Sequence, residues 1–351
     1  KRVSEKTGKE LADKVTVFNP GSRQQIAERL QSIGVVFTRL TEKGGTIVDE
    51  KVLSEIDKPE ARLIARYLML QKRVSQITSW FGVVKEDGRV HGRVITNGAV
   101  SGRMTHMAPN MAQIPNNGSA YGKECRECWI VDEGNVLVGA DASGLELRML
   151  AHHMADPLYI KTVCDGSSKE GTDVHSVNQK AAGLPTRDEA KTFIYAFLYG
   201  AGDAKLGSIV GGGDKAGRKL KLSFLSETPA LAILIDKVKN DSLSGYVKGL
   251  DGRHINIRSS HAALNSLLQG DGAILMKKAL TILDKDIKKY GIIASFCANV
   301  HDEWQIETGH KDGDKVGILA VDAIEEAGRH FNLTCPTTGE YHVGLNWKDT
   351  H

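Results

Sequence analysis

Long apolar runs are missing from this chain. No stretch reaches the roughly 18–20 residues that a membrane span requires, and the N-terminus carries no signal-peptide pattern. Cysteine is scarce: Cys125, Cys128, Cys164, Cys297 and Cys335 form an odd, sparse set that suits no disulfide framework. A reducing, intracellular (cytoplasmic) compartment is therefore expected. Cys125-x-x-Cys128 has no second such pair and no neighbouring histidine pair, which argues against a zinc site. Gly211-Gly-Gly213 lacks the Lys-Ser/Thr of a phosphate loop and reads as a turn between helices. An excess of one charge is missing too. Lys and Arg total 46 and Asp and Glu 43, a net of +3. That sum says little about partners, because an acidic cluster and a basic surface cancel in it.

What is present is an average globular composition, 41% hydrophobic and 25% charged over 351 residues, enough for two or three structural units. No internal repeat or low-complexity tract is visible. The first residue is Lys1 rather than Met, so the sequence reads as a trimmed chain or a fragment. Residues 1–50 read as a short α/β lead-in, with a helix capped by Ser22, carrying Ile26, Leu30 and Ile33, and closed by Gly34. A second helix is predicted from Pro59 to about Phe81, with Arg62, Arg66, Lys72 and Arg73 between its apolar residues. Those cations are either a solvated face or a rest for phosphates. Residues 82–135 read as short strands and loops, Val136–Ala140 as a buried strand, and 160–250 as helical with a break at Gly211–Gly213. Ile292–Val300 and Glu303–Glu307 read as strands joined at His301-Asp302. Trp80 and Trp129 are placed in the core or at its rim.

Three constellations carry chemistry. In Asp141-Ala-Ser-Gly-Leu-Glu-Leu-Arg148, the Asp ends a buried strand and is either a helix cap or a cation ligand. In Ala298-Asn-Val-His-Asp-Glu-Trp304, two adjacent acids at a hairpin tip repel unless a cation or donor offsets them; a plain polar turn is the alternative. Together, carboxylates from separate strands can flank a pair of Mg²⁺ ions arranged for in-line phosphoryl displacement. The third runs from Pro185 to Gly200. Thr186 and Glu189 form a capping box, and Arg187, Lys191, Tyr195 and Tyr199 recur every fourth residue along one face. Two cations at a helix N-terminus followed by two aromatic rings suit a nucleotide laid along the helix; a structural helix with a chance stripe is the other reading. Between Lys180 and Lys221, eight basic residues face four acidic ones.

These segments resemble motifs A, B and C of the family A (Pol I type) DNA polymerases, closest to the replicative branch of T7-type podoviruses. DASGLELR at 141–148, RDEAKTFIYAFLYGAG at 187–202 and HDE at 301–303 stand in order. NGAVSGRMTH at 97–106, PNMAQIP at 109–115, KGLDGR at 248–253 and HAALNSLLQGDGA at 261–273 extend the likeness over most of residues 15–347.

The resemblance implies an α/β (α+β) right-hand polymerase fold, with a palm antiparallel sheet, helical fingers and a partial helical thumb. Residues 1–90 would give part of the thumb and its base, 91–160 and 250–351 the palm, and 161–249 the fingers. It implies template-directed DNA synthesis from deoxynucleoside triphosphates on primer-template DNA, with two Mg²⁺ ions, or Mn²⁺ in their place. Asp141, Asp302 and the Ala142 carbonyl would hold the metals, with Glu303 as an accessory acid. Arg187, Lys191, His175 and Ser143 would contact the nucleotide, Lys191 protonating the leaving pyrophosphate. Glu146 would crowd the sugar 2′ position. Tyr195 would pack beside the sugar, where many relatives have Phe and where a hydroxyl favours dideoxynucleotides. Tyr199 would sit near the templating base. Arg103 and Gln269 would read minor-groove acceptors at the primer end, Gln113 and His261 would touch DNA, and His301 would support the primer end.

The chain departs from the pattern in showing no Asp-x-Glu proofreading motif, and its 236–250 segment is short. An exonuclease domain and the insertion that takes a processivity factor would precede residue 1. A trimmed chain, or one product of a split gene that works with a separate exonuclease/thumb chain, is expected. A DNA-binding module without catalysis and a single-subunit RNA polymerase are the remaining alternatives, Glu146 speaking against the latter.

Overall fold

The computed structural model describes residues 2–3, 10–11, 17–41 and 44–351; the remainder of the expected lead-in lies outside the described residues. The chain divides between Val90 and His91 into two compact units. In the first, β1 (Arg2–Val3) pairs antiparallel with β2 (Glu10–Leu11), and three helices follow: α1 (Arg23–Ser32), α2 (Glu50–Ser54) and α3 (Pro59–Phe81). The Ser22 hydroxyl accepts the Gln25 amide and starts α1, and Gly34 follows it at φ +88°. Ile26, Ala27 and Leu30 turn inward to pack with Val35, Val48, Leu53 and Ala61. Ile33, expected on that face, is exposed, because the helix has already ended one residue earlier. Along α3, Arg62, Arg66 and Lys72 are exposed, and Arg62 pairs with Asp57.

The second unit is built on a four-stranded antiparallel sheet. Its strands are β5 (Asn135–Ala142), β8 (Ala294–Val300), β9 (Glu303–Gly309) and β10 (Gly339–Gly344), in the order β10-β5-β9-β8. Two small hairpins lie outside it: β3 (Arg93–Ile95) with β4 (Thr105–Met107), and β6 (Tyr246–Lys248) with β7 (His254–Asn256). Residues 82–135 also contain a short helix that the sequence reading missed, α4 (Gly122–Glu127).

Register decides which side chains share a face of the large sheet. Ala140 stands opposite Trp304 and Tyr341, and Val138 opposite Ile306 and Val343. This face is the core. It is covered by α13 (Gly313–His330), whose Val316, Ala320, Ala323, Ile324 and Ala327 recur at helical spacing and are buried, and α12 (Ala263–Lys289) packs on α13. The other face carries Leu137, Gly139 and Asp141 on β5, and Glu303, Gln305 and Glu307 on β9.

Helices fill the chain between the first and second strands of this sheet. They are α5 (Leu145–Met154), α6 (Pro157–Asp165), α7 (Val174–Ala182), α8 (Arg187–Leu198), α9 (Asp203–Ile209), α10 (Asp214–Glu227) and α11 (Pro229–Asp241). The expected capping box of α8 is formed, Thr186 and Glu189 satisfying each other's amides. One side of α8 is locked into the core by Phe193 and Phe197, whose rings meet Phe224 of α10 edge-on at 5.1 and 5.6 Å. Its opposite side stays open.

The C-terminal residues close over the second face of the sheet, and Gly139 makes room for them. A Cβ there would lie 2.2 Å from the Thr350 carbonyl oxygen and 2.7 Å from Gln305 Nε2. Gly139→Ala is expected to destabilise the fold by about 1–3 kcal/mol through this overpacking. Urea unfolding checks it; a midpoint equal to that of the wild type refutes the crowding.

Candidate active site

The three constellations converge within the second unit. β5 delivers Asp141 beside the β8–β9 hairpin, where the Ala142 amide donates to the Asp302 carbonyl at 3.0 Å. Asp141 is opposite both Glu303 and Glu340 in register, so three carboxylates line up on one face. Burial first, then the charges of Asp302 and Glu303, push the Asp141 carboxyl up to about 7. Burial raises Asp302 as well, opposed by the Arg103 guanidinium. The hairpin turns on two residues, with His301 at φ +60° in the position where glycine is usual. Strain of this kind persists only where its surroundings hold it. Burial, then the Arg103 charge, lowers the His301 imidazole.

After β5 the chain turns through Ser143 and Gly144 into α5. The Ser143 amide donates to the Thr338 carbonyl (3.0 Å), and Arg148 Nε donates to the Ser143 carbonyl (2.8 Å). This fixes Glu146 in the first turn. Both of its oxygens are engaged: Arg103 Nη2 donates to Oε1 at 3.1 Å, and the Tyr199 hydroxyl reaches Oε1 at 3.1 Å and Oε2 at 3.0 Å. Burial and the Glu146 charge push the Tyr199 phenol up to about 12, so it remains a donor. Tyr195 is half-buried one turn earlier; burial, then the Glu146 and Asp302 charges, raise its phenol.

The open face of α8 leads away from this acid pair. The Tyr195 ring lies 6.1 Å from His175, and His175 feels both Arg187 and Lys191. Burial, then Arg187, lowers the His175 imidazole, whose Nδ1 is buried without a hydrogen-bond partner among the described residues. Lys191 is exposed. Arg187 is held: its Nε (3.1 and 3.3 Å) and Nη2 (2.9 Å) donate to the Asp173 carboxylate at the start of α7.

Other expected contacts sit further out. His261 follows the hairpin β6–β7, with its carbonyl 2.8 Å from where a Cβ of Gly200 would stand, at the end of α8. Gln269 is half-buried on α12, one turn before Gly272, which packs on Leu145 of α5. Gln113 is exposed in a single 3₁₀ turn (Met111–Gln113) near β8.

Glu303, the expected accessory acid, is buried, and the chain itself occupies its oxygens. Trp347 Nε1 (2.5 Å) and Gln305 Nε2 (2.7 Å) donate to Oε1, and His351 Nδ1 lies 3.2 Å from Oε2. Burial alone would raise its carboxyl, but these donors outweigh it and hold it below its usual range. The C-terminal segment that supplies them is anchored in turn. The Thr350 hydroxyl donates to Gln305, Asn117 Nδ2 donates to the Lys348 and His351 carbonyls, and Arg126 lies 4.9 Å over the Trp347 ring. Glu303 therefore ties the chain's last residues to the acid face.

Trp347, His351, Gln305 and Asp173 were not anticipated. The alternation of Glu303-Trp-Gln-Ile-Glu307 reads as a strand with one solvated face, whereas both faces are buried. Polar residues buried on the second face of a strand require donors to cover them. Asp173 offered only a helix cap.

The model of DNA polymerase family A matches residues 2–349, and the chain belongs to that family. The DNA-directed DNA polymerases of Enterobacteria phage T3 and Escherichia phage T7 are each 42% identical to it over 95% of this chain and 53% of theirs. The chain thus spans about half the length of the curated relatives it matches. In fold it is similar to the POL domain of Pol1 from M. smegmatis, solved in complex with DNA primer-template and dNTP. The TM-score is 0.84 at 22% identity, over 95% of this chain and 62% of that one. No helix among the described residues is long and apolar enough to cross a membrane.

The Asp173–Arg187 pair gives a pH prediction. Burial would raise the Asp173 carboxyl, but bonds from Arg187, Ser176 and the His175 amide bring it from 3.8 down to about 2. A depressed folded value stabilises above the unfolded one and loses that stability as pH falls through the folded one. The stability gap between the wild type and Asp173→Asn is expected to hold from pH 7 to about 5 and to close between about 4 and 2. Chemical denaturation across that range measures it; a gap that widens on acidification contradicts the pairing.

Proposed function

We propose that this chain carries out template-directed DNA synthesis, adding deoxynucleotides to a primer 3′-hydroxyl with release of pyrophosphate. The observation that carries this reading is the convergence of two half-buried carboxylates, Asp141 near the end of β5 and Asp302 in the β8–β9 turn, with a helix face bearing Arg187, Lys191, Tyr195 and Tyr199. In this reading, residues 91–160 and 250–351 are the palm, 161–249 the fingers, and 1–90 part of the thumb and its base. The work takes place in host-cell cytoplasm, as suits kinship with phage enzymes.

The donor set suits divalent cations. Asp141 and Asp302 are crowded, desolvated and raised, no side-chain donor reaches Asp141 among the described residues, and oxygen ligands favour Mg²⁺ or Mn²⁺. Asp141, Asp302 and the Ala142 carbonyl would hold two ions. Bound there, they supply activation of the 3′-hydroxyl and neutralisation of charge on the phosphates.

The chain's own groups do the rest. Arg187, Lys191 and His175 bind the triphosphate beside the start of α8, and the Lys191 ammonium gives its proton to the leaving pyrophosphate. Glu146, braced by Arg103 and Tyr199, fills the space a ribose 2′-hydroxyl would need. Tyr195 packs beside the sugar, with Ser143 at the turn below it. Arg103 and Gln269 read the minor-groove acceptors common to every correct pair, Gln113 and His261 contact the DNA, and His301 supports the primer end.

Primer extension by the chain alone, with Mg²⁺, is the test. Asp141→Asn and Asp302→Asn are each expected to slow incorporation by about 10³ or more, as is chelation of the metal. Variants extending at the wild-type rate would sink the reading. Because the chain spans about half of its relatives, a second reading is a subunit that binds primed DNA and extends it only when a separate exonuclease/thumb chain or processivity factor is added. Tyr195→Phe is expected to lower dideoxynucleotide use relative to deoxynucleotide use by about tenfold, the scale of one lost hydrogen bond to a charged group. Competition incorporation measures that ratio, and an unchanged ratio removes the hydroxyl's role.

A further inference from the structure

We propose that Asp173 is a positioning residue for the incoming triphosphate, fixing one edge of the Arg187 guanidinium so that its other edge is presented to the phosphates. The inference rests on the polymerase reading above and assigns a task to a residue outside the three motifs.

A guanidinium carries five N–H donors in a rigid fork. Asp173 takes the Nε–H and one Nη2–H of Arg187. Three donors remain: both on Nη1 and one on Nη2, on the edge whose geometry matches two phosphate oxygens. No described residue accepts from Nη1, and the Arg187 side chain is 40% exposed, against 11% for Asp173. The held edge faces inward and the free edge faces out.

Asp173 is itself immobile. Its side chain caps α7 by accepting the His175 amide at 3.1 Å, and it accepts the Ser176 hydroxyl at 2.6 Å. The anchor of Arg187 is thus one helix N-terminus, while Arg187 is the first residue of another, α8. Lys191 follows one turn along, about 6 Å up the helix, and adds a second cation on the same face. An arginine free at an exposed helix start would have to be frozen by its ligand at a cost in affinity; here the fold has frozen it beforehand. Asp173 cancels part of the Arg187 charge, so its contribution is orientation rather than attraction.

Asn also caps helices through its side-chain oxygen. Asp173→Asn therefore removes the charge-assisted fork while keeping the start of α7. Single-nucleotide incorporation is to be measured with the wild type, Asp173→Asn, Arg187→Ala and the double variant. The KM for the deoxynucleotide is expected to rise about tenfold in Asp173→Asn, with kcat changing by less than about twofold, and the double variant is expected to match Arg187→Ala alone. An unchanged or lowered KM, or effects that multiply in the double variant, overturns the proposal. Equilibrium dialysis with inorganic tripolyphosphate separates it from the polymerase reading. If the wild type incorporates nothing, yet tripolyphosphate binding falls in Asp173→Asn, synthesis by the chain alone fails and the positioning role stands. Equal binding by both proteins overturns the positioning role whatever the incorporation.

Discussion

Asp141, Glu303 and Glu340 stand side by side because the register of three antiparallel strands puts them there, and Asp302 adds a fourth charge at the adjoining hairpin. Like charges at that separation, partly desolvated, cannot all stay ionised without compensation. The surrounding structure is arranged as that compensation. Arg103 stands near Asp302, and Trp347, Gln305 and His351 neutralise Glu303 by hydrogen bonds and charge. Among the described residues no side-chain donor reaches Asp141 or Asp302; both are raised, Asp141 to about 7. The repulsion is settled everywhere except where a cation would be wanted.

The helix that faces this acid pair has a comparable division. On its inner side Phe193 and Phe197 pack on Phe224, so α8 is fixed to α10 by aromatic contacts. On its outer side the cations and tyrosines are spaced by whole turns. A helix anchored so firmly on one side presents its other side as a rigid row, and preorganised groups of this kind favour electrostatic catalysis. Glu146 bridges the two halves, since Tyr199 of the helix end and Arg103 of the β3–β4 region both bind it.

Much of this was legible in the amino-acid sequence, for identifiable reasons. The capping box and its four-residue stripe are local, and local rules set them: Thr186 and Glu189 need only each other. The Val136–Ala140 strand and the hairpin at His301-Asp302 follow from apolar runs broken by polar pairs. What escaped was non-local. The role of Glu303 depends on Trp347 and His351, more than forty residues away, and no spacing rule links them. Arg187 looked like a free cation because its partner Asp173 lies on another helix, fourteen residues earlier.

The closure of the acid face by Trp347, Thr350 and His351 also imposes an order in time. During synthesis the two sheet strands that carry Asp141 and Glu303 emerge well before the residues that satisfy Glu303, 44 positions later in the case of Trp347. Until then Glu303 has only Gln305 among these donors, and the face that Trp347 and His351 cover stays in water. The acid face is therefore completed by residues that leave the ribosome after the strands that carry it. A nascent chain can assemble its helices and hydrophobic face early, but it acquires the chemistry of its site only when the end of the second unit has docked.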